Sequence, residues 1–173
     1  MQFNKAGTSD GRHRLTHVEI IDTADLNRFA QLNVTADAQV VGEFTQPHFW
    51  SDNISLIGST LSNNLIPLKS LTEANARLTL SSDWNVSSLN PFVGIQNAVT
   101  RAPQNISLET AIKAYTINGA YVMRQENEVG SIEVGKLVDF VVLDRDIFTI
   151  PPTELNQTKV VLTVFNGSEI YKR

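Results

Sequence analysis

Cysteine is absent from the 173-residue chain. That excludes disulfide bonds, thiolate nucleophiles and cysteine-based zinc sites, and it fits the cytoplasm and the bacterial periplasm equally. Histidine is scarce: His13, His17 and His48 supply every imidazole available for acid–base or metal chemistry. No apolar run approaches the roughly 20 residues that cross a bilayer as a helix. Residues 1–8 lack the apolar core of a signal peptide, so no membrane partner is expected. Basic charge is not in excess: 14 Lys and Arg face 18 Asp and Glu, for a net charge of −4. Scattered cations in an acidic chain argue against electrostatic binding of nucleic acid. No His-x-His pair is present.

What is present suffices for a folded domain. The hydrophobic fraction of 42% supports a buried core, and the length fits one domain or a compact domain with an appendage. Leu78 and Leu80 alternate with Thr79 and Ser81, the period of a strand. The strand ends at Asp83, Trp84 and a polar turn, and Pro91 then opens a helix whose apolar face is Phe92, Ile95 and Val99. Upstream, Arg14 to Ile21 and Val34 to Val41 are strand candidates, and Asp22 or Thr23 caps a helix over 24–31 between them. Strand, helix and strand at this spacing predict a βαβ unit and a parallel sheet with strands near 15–21, 34–40 and 77–82. Residues 1–12 are expected to be an unstructured lead-in. Residues 42–64 are expected to be irregular, with Pro47, His48, Phe49 and Trp50 clustered, and a short helix follows over 65–74. Ser107 caps a further helix that Asn118-Gly119 is expected to interrupt. Beyond Glu126 the text becomes β-rich, and Asn166-Gly167 signals a type I′ hairpin.

A lone acid where a strand meets its loop occupies the position at which parallel α/β folds place their chemistry. Pattern alone leaves two readings for Asp83: a turn former, which is the commoner case, and a catalytic acid. His17 in the first strand and Asp83 after the third can reach the same space at the strands' carboxyl ends. Imidazole with carboxylate suits a first-row metal such as zinc, although catalytic zinc generally takes three protein ligands and a water. Glu19 and Glu43 are candidates for the shortfall. His48 and Trp84 are loop candidates for meeting a substrate, although a cluster such as the one around His48 more commonly packs on itself. Gly130 to Lys136 has the glycine and lysine spacing of a phosphate loop, but Leu137 replaces the magnesium-binding hydroxyl and a strand follows instead of a helix.

Four segments together resemble the carboxyl-terminal part of the YtcJ-like metal-dependent amidohydrolases (amidohydrolase family 3), a group related to the N-substituted formamide deformylases. They are His13 to Glu19, Leu80 to Arg101, Ala111 to Ala120 and Gly130 to Asp144. The resemblance implies an α/β chain forming part of a (β/α)8 barrel, strands six to eight, in residues 1–125. It implies a small β-sandwich portion in residues 126–173. By the same resemblance His17 matches a metal-binding histidine, and Asp83 matches an aspartate that touches metal and handles the proton of the attacking water. The implied reaction is hydrolysis of a C–N bond in a small amide or formamide, with a divalent metal, zinc being the expected ion. Thr16, Glu19 and Asn85 depart from the residues usual in the family. The His-x-His, bridging and fifth-strand ligands of the family have no counterpart here. The chain is therefore expected to be a fragment, catalytically silent alone and prone to self-association through open strand edges. A non-catalytic, self-associating half-barrel is the alternative.

Overall fold

Three short strands run side by side in the same direction. β1 (Arg14–Thr16) pairs with β2 (Thr35–Gln39), which pairs with β3 (Leu78–Ser81), in the order β1-β2-β3. The computed structural model describes residues 11–42 and 54–173, so His48 and Glu43 lie outside the described residues. Parallel neighbours need crossovers, and helices supply them. A 3-10 turn (Thr23–Asp25) and α1 (Leu26–Gln31) link β1 to β2, while α2 (Ile54–Asn63) and α3 (Leu68–Glu73) lie between β2 and β3. Asp22 caps the first crossover, its carboxylate accepting from the Ala24 amide at 2.9 Å.

The sequence pattern misplaces some boundaries. β1 stops at Thr16 instead of Ile21 because His17 turns to φ +60° and leaves the extended region. α2 occupies residues expected to be irregular, and Gly58, at φ +78° and ψ +157°, divides it and hides its period. Residue 12 is no loose end: Arg12 makes two 2.7 Å bonds to the Glu126 carboxylate and one of 2.6 Å to the Tyr121 carbonyl. Arg12 and Arg77 both stack on the Tyr121 ring, at 4.2 and 3.5 Å from its centroid.

Local capping does explain the next helices. Asn90 accepts from the Phe92 amide at the start of α4 (Pro91–Thr100), and Ser107 accepts from the Thr110 amide at the start of α5 (Leu108–Tyr115). The break before α6 (Ile117–Val122) falls at Thr116, while Asn118-Gly119 lies inside the helix. Asn118 donates to the Leu78 carbonyl at 2.8 Å, and this tie to β3 overrides the turn tendency of the pair. Ala36 and Ala38 of β2, Val40 just after it, and Leu78 and Leu80 of β3 form a buried core with Phe92, Ile95, Ala98, Ala111 and Ala114.

A second sheet follows, antiparallel, in the order β4 (Phe140–Leu143), β5 (Val160–Phe165), β6 (Ser168–Lys172). Asn166 and Gly167 both adopt positive φ, +47° and +74°, as a type I′ turn requires. A 3-10 segment (Pro152–Gln157) precedes β5 and packs on α4. Its Leu155, with Ile147, joins the core of the first sheet, and the Asn156 amide donates to Gln96 at 3.0 Å.

Candidate active site

The carboxyl ends of β1 and β3 bring His17 and Asp83 together. His17 Nε2 lies 3.6 Å from Asp83 Oδ2, and the two side chains are 48% and 39% exposed. Both residues hold left-handed backbone, φ +60° and +53°, which turns the chain sharply as each strand ends. The Asp83 carbonyl accepts from the Val86 amide at 2.7 Å, so Asp83 forms a turn with its backbone while its carboxylate faces the imidazole. The two sequence readings of this residue are compatible.

Glu19 is placed on the other side of the ring. Its carboxylate meets His17 Nδ1 at 3.1 Å. A carboxylate only accepts, so in the neutral imidazole this bond puts the proton on Nδ1 and leaves the Nε2 lone pair facing Asp83. A lone pair opposite a carboxylate at 3.6 Å is not a hydrogen bond. It does match two donors sharing one cation, since tetrahedral zinc ligands at their usual bond lengths sit roughly 3.4 Å apart. Glu19 stands where a carboxylate behind a metal-bound histidine would stand. Among the described residues no cluster of three or more His, Asp or Glu side chains is arranged to hold a metal. The pair therefore fits two positions of a coordination sphere and leaves the rest to groups beyond the described residues.

Trp84 follows Asp83 directly and is 67% exposed, with Val86 and Leu89 also exposed on the same loop. Lys136 turns inward to Ser131 and Glu133, and no helix N-terminus follows it, in keeping with the rejection of a phosphate loop.

The residues that sequence reasoning missed lie on β2. Thr35, Asp37 and Gln39 are buried, as is Thr79 of β3, although all are polar. Thr79 donates to Asp37 at 2.9 Å, and the Arg14 guanidinium stands 3.9 Å from the same carboxylate. Gln39 reaches both strand ends: Oε1 accepts from the His17 amide at 3.0 Å, and Nε2 donates to Ser81 Oγ at 2.8 Å. The available signal was Thr-x-Asp-x-Gln at period two inside a strand whose alternate positions are apolar.

Comparison with known proteins bears on the family. A sequence model described as an amidohydrolase family matches residues 1–171. The chain is 28% identical over 188 residues to the putative amidohydrolase YtcJ of Bacillus subtilis, covering 99% of this chain and 34% of that protein. It is 29% identical over 171 residues to the N-substituted formamide deformylase of Arthrobacter pascens, covering 92% and 31%. It thus spans about a third of the length of these curated relatives. An adenosine deaminase from Xanthomonas campestris, solved with bound zinc, superposes with a TM-score of 0.72 at 19% identity, over 99% of this chain and 39% of that one. That likeness shows a shared fold. With the family match running over nearly every residue, the chain belongs to the amidohydrolase family.

Proposed function

We propose that His17 and Asp83 are two of the metal donors of a metal-dependent amidohydrolase acting on a C–N bond of a small amide or formamide. In this reading residues 1–125 supply strands six to eight of a (β/α)8 barrel, and residues 126–173 supply one portion of a β-sandwich. The observation that carries it is the 3.6 Å approach of His17 Nε2 to Asp83 Oδ2 at the carboxyl ends of a parallel sheet, with Glu19 on Nδ1. The formamide deformylase among the relatives supports an amide-type substrate.

The chemistry a bound divalent cation supplies, zinc being well suited to these donors, is acidification of a water toward neutrality. Glu19 fixes the His17 ring through Nδ1–H. A carboxylate oxygen of Asp83 takes the proton of the attacking water and delivers it to the departing nitrogen, which would otherwise leave as a strongly basic anion. Trp84, exposed and next to Asp83, offers apolar surface to a substrate.

Two donors among the described residues do not complete a site, so on this reading the chain by itself is expected to hold zinc weakly and to hydrolyse nothing at a useful rate. Titration of zinc into the 15N-labelled chain should shift the His17 imidazole resonances, and the response should vanish in D83A. A zinc response indifferent to both H17A and D83A would refute the assignment. Tight, stoichiometric zinc in a monomer would refute the incompleteness.

Exposure of every residue of β1, together with Val141, Phe165 and Ile170 in the tail, favours a second reading in which open strand edges self-associate. Light scattering on a column eluate decides it: a monomer at high concentration counts against association.

A further inference from the structure

We infer that Gln39 is a positioning residue for the His17–Asp83 pair, an inference that rests on the metal-hydrolase reading of that pair. Gln39 is only 3% exposed, and its carboxamide is used at both ends. Oε1 accepts from the backbone N–H of His17, and Nε2 donates to the hydroxyl of Ser81, two residues before Asp83. A second contact of Nε2, 3.4 Å to Asp37 Oδ2, orients the amide within the sheet. One side chain on the central strand therefore spans the points at which the two outer strands release their functional residues.

The need for such a tie follows from the backbone. β1 is three residues long, and its ladder ends at Thr16. His17 then sits at φ +60°, a region a histidine enters only when its surroundings enforce it. Its amide has two acceptors, the Asp37 carbonyl at 3.1 Å and Gln39 Oε1 at 3.0 Å. The first continues the pairing with β2. The second is supplied by a side chain, and it is the one that also reaches β3. Without it the backbone pairing through β2 remains, but the side-chain tie between the turn at His17 and Ser81 is lost.

A buried glutamine can also serve the fold alone, and the protein contains a matched case. Gln104, equally buried, accepts from the Ser70 amide at 3.0 Å and donates to Asn64 at 3.1 Å, with no bond to the candidate site. Q39M and Q104M remove the same chemistry from two places. The test compares both with S81A in the full chain, reading amide hydrogen exchange at His17 and the zinc concentration that half-shifts its imidazole resonances.

Q39M should speed exchange of the His17 amide by about tenfold and raise the half-shift zinc concentration by a similar factor, in line with the loss of one buried bond. Q104M should leave both readouts within about twofold of the parent even if its melting temperature falls as far. S81A removes one arm only and should raise the zinc requirement while the His17 amide stays protected. If Q39M does not fold, S81A against Q104M decides. Equal effects of Q39M and Q104M at His17, or no effect of Q39M, would overturn the inference. Absence of any zinc response in the parent chain would refute the metal reading instead, and amide exchange would still judge Gln39.

Discussion

Gly94 lies in the middle of α4, where alanine would ordinarily stabilise a helix by about 1 kcal/mol. Here the expected sign is the opposite. A Cβ at Gly94 would stand 2.0 Å from the Tyr115 hydroxyl oxygen, 3.1 Å from Tyr115 Cζ and 3.1 Å from Val41 Cγ2. The first contact is more than 1 Å too close, so the partly buried ring, with its hydroxyl buried, must shift. Overpacking of this kind costs about 1–3 kcal/mol, so G94A should lose about 1–2 kcal/mol net after the helix gain. The hydroxyl itself has no hydrogen-bond partner among the described residues. Y115F therefore removes an unsatisfied buried group and should be neutral or stabilise by up to about 1 kcal/mol. In the Y115F background the oxygen is gone, Tyr115 Cζ and Val41 Cγ2 at 3.1 Å need give only a few tenths of an ångström, and G94A should cost far less. The coupling between the two substitutions is then about 1–2 kcal/mol. Urea denaturation followed by far-UV circular dichroism on the four proteins measures it. A coupling below about 0.5 kcal/mol, or a Y115F variant that loses stability, would refute the packing argument.

Three further outcomes follow from features away from the candidate site. The Asp144 carboxyl is held down at about 2 by the Arg145 guanidinium, at 3.0 and 3.1 Å, and by the Lys159 amide. A depressed carboxyl contributes stability above its unfolded value near 4 and loses it as the pH falls toward 2, so D144N should flatten the acid limb of a urea-midpoint profile between pH 5 and 2. Y121L deletes the ring on which Arg12 and Arg77 stack and should cost about 1–2 kcal/mol in the same denaturation assay, whereas Y121F keeps the ring and should lose far less. G167A forces alanine to φ +74° in the hairpin and should cost about 1 kcal/mol, with amide exchange accelerated first in β5 and β6.

Features decided within a few residues could be read before the structure. Asn90 with Pro91, Ser107 with Thr110, and Asn166-Gly167 each settle a local backbone choice with their own side chains or their own φ, and each lies where the pattern placed it. Asp83 at the end of a strand was legible for the same reason. The errors share a different cause. Alternation runs on past Thr16 to Ile21, but the left-handed turn at His17 is imposed by partners on β2. Asn118-Gly119 reads as a turn, yet a bond from Asn118 to the Leu78 carbonyl keeps it helical. The role of Gln39 was illegible because its two partners are set by the register of three strands, and no local spacing encodes that register.

The same register explains why the candidate donors can meet. An exposed pair such as His17 and Asp83 stabilises a fold by about 0–1 kcal/mol at most, while a non-glycine residue in left-handed backbone costs on the order of 1–3 kcal/mol. Two such residues face each other here, so their mutual attraction cannot be what holds them in place. The restraint must come from groups shielded from water, and β2 supplies them. Its inner face carries Asp37, held by Thr79, and Gln39, held by Ser81 and the His17 amide, with Asp37, Gln39 and Thr79 buried. The opposite face of the strand is Ala36 and Ala38, which share a buried core with residues of α4 and α5. The apolar face thus anchors the strand, and the polar face fixes the ends of its neighbours. On this reasoning the site is prepared by the one strand that contributes none of its candidate donors, and substitutions on the polar face of β2 should loosen His17 before they unfold the chain.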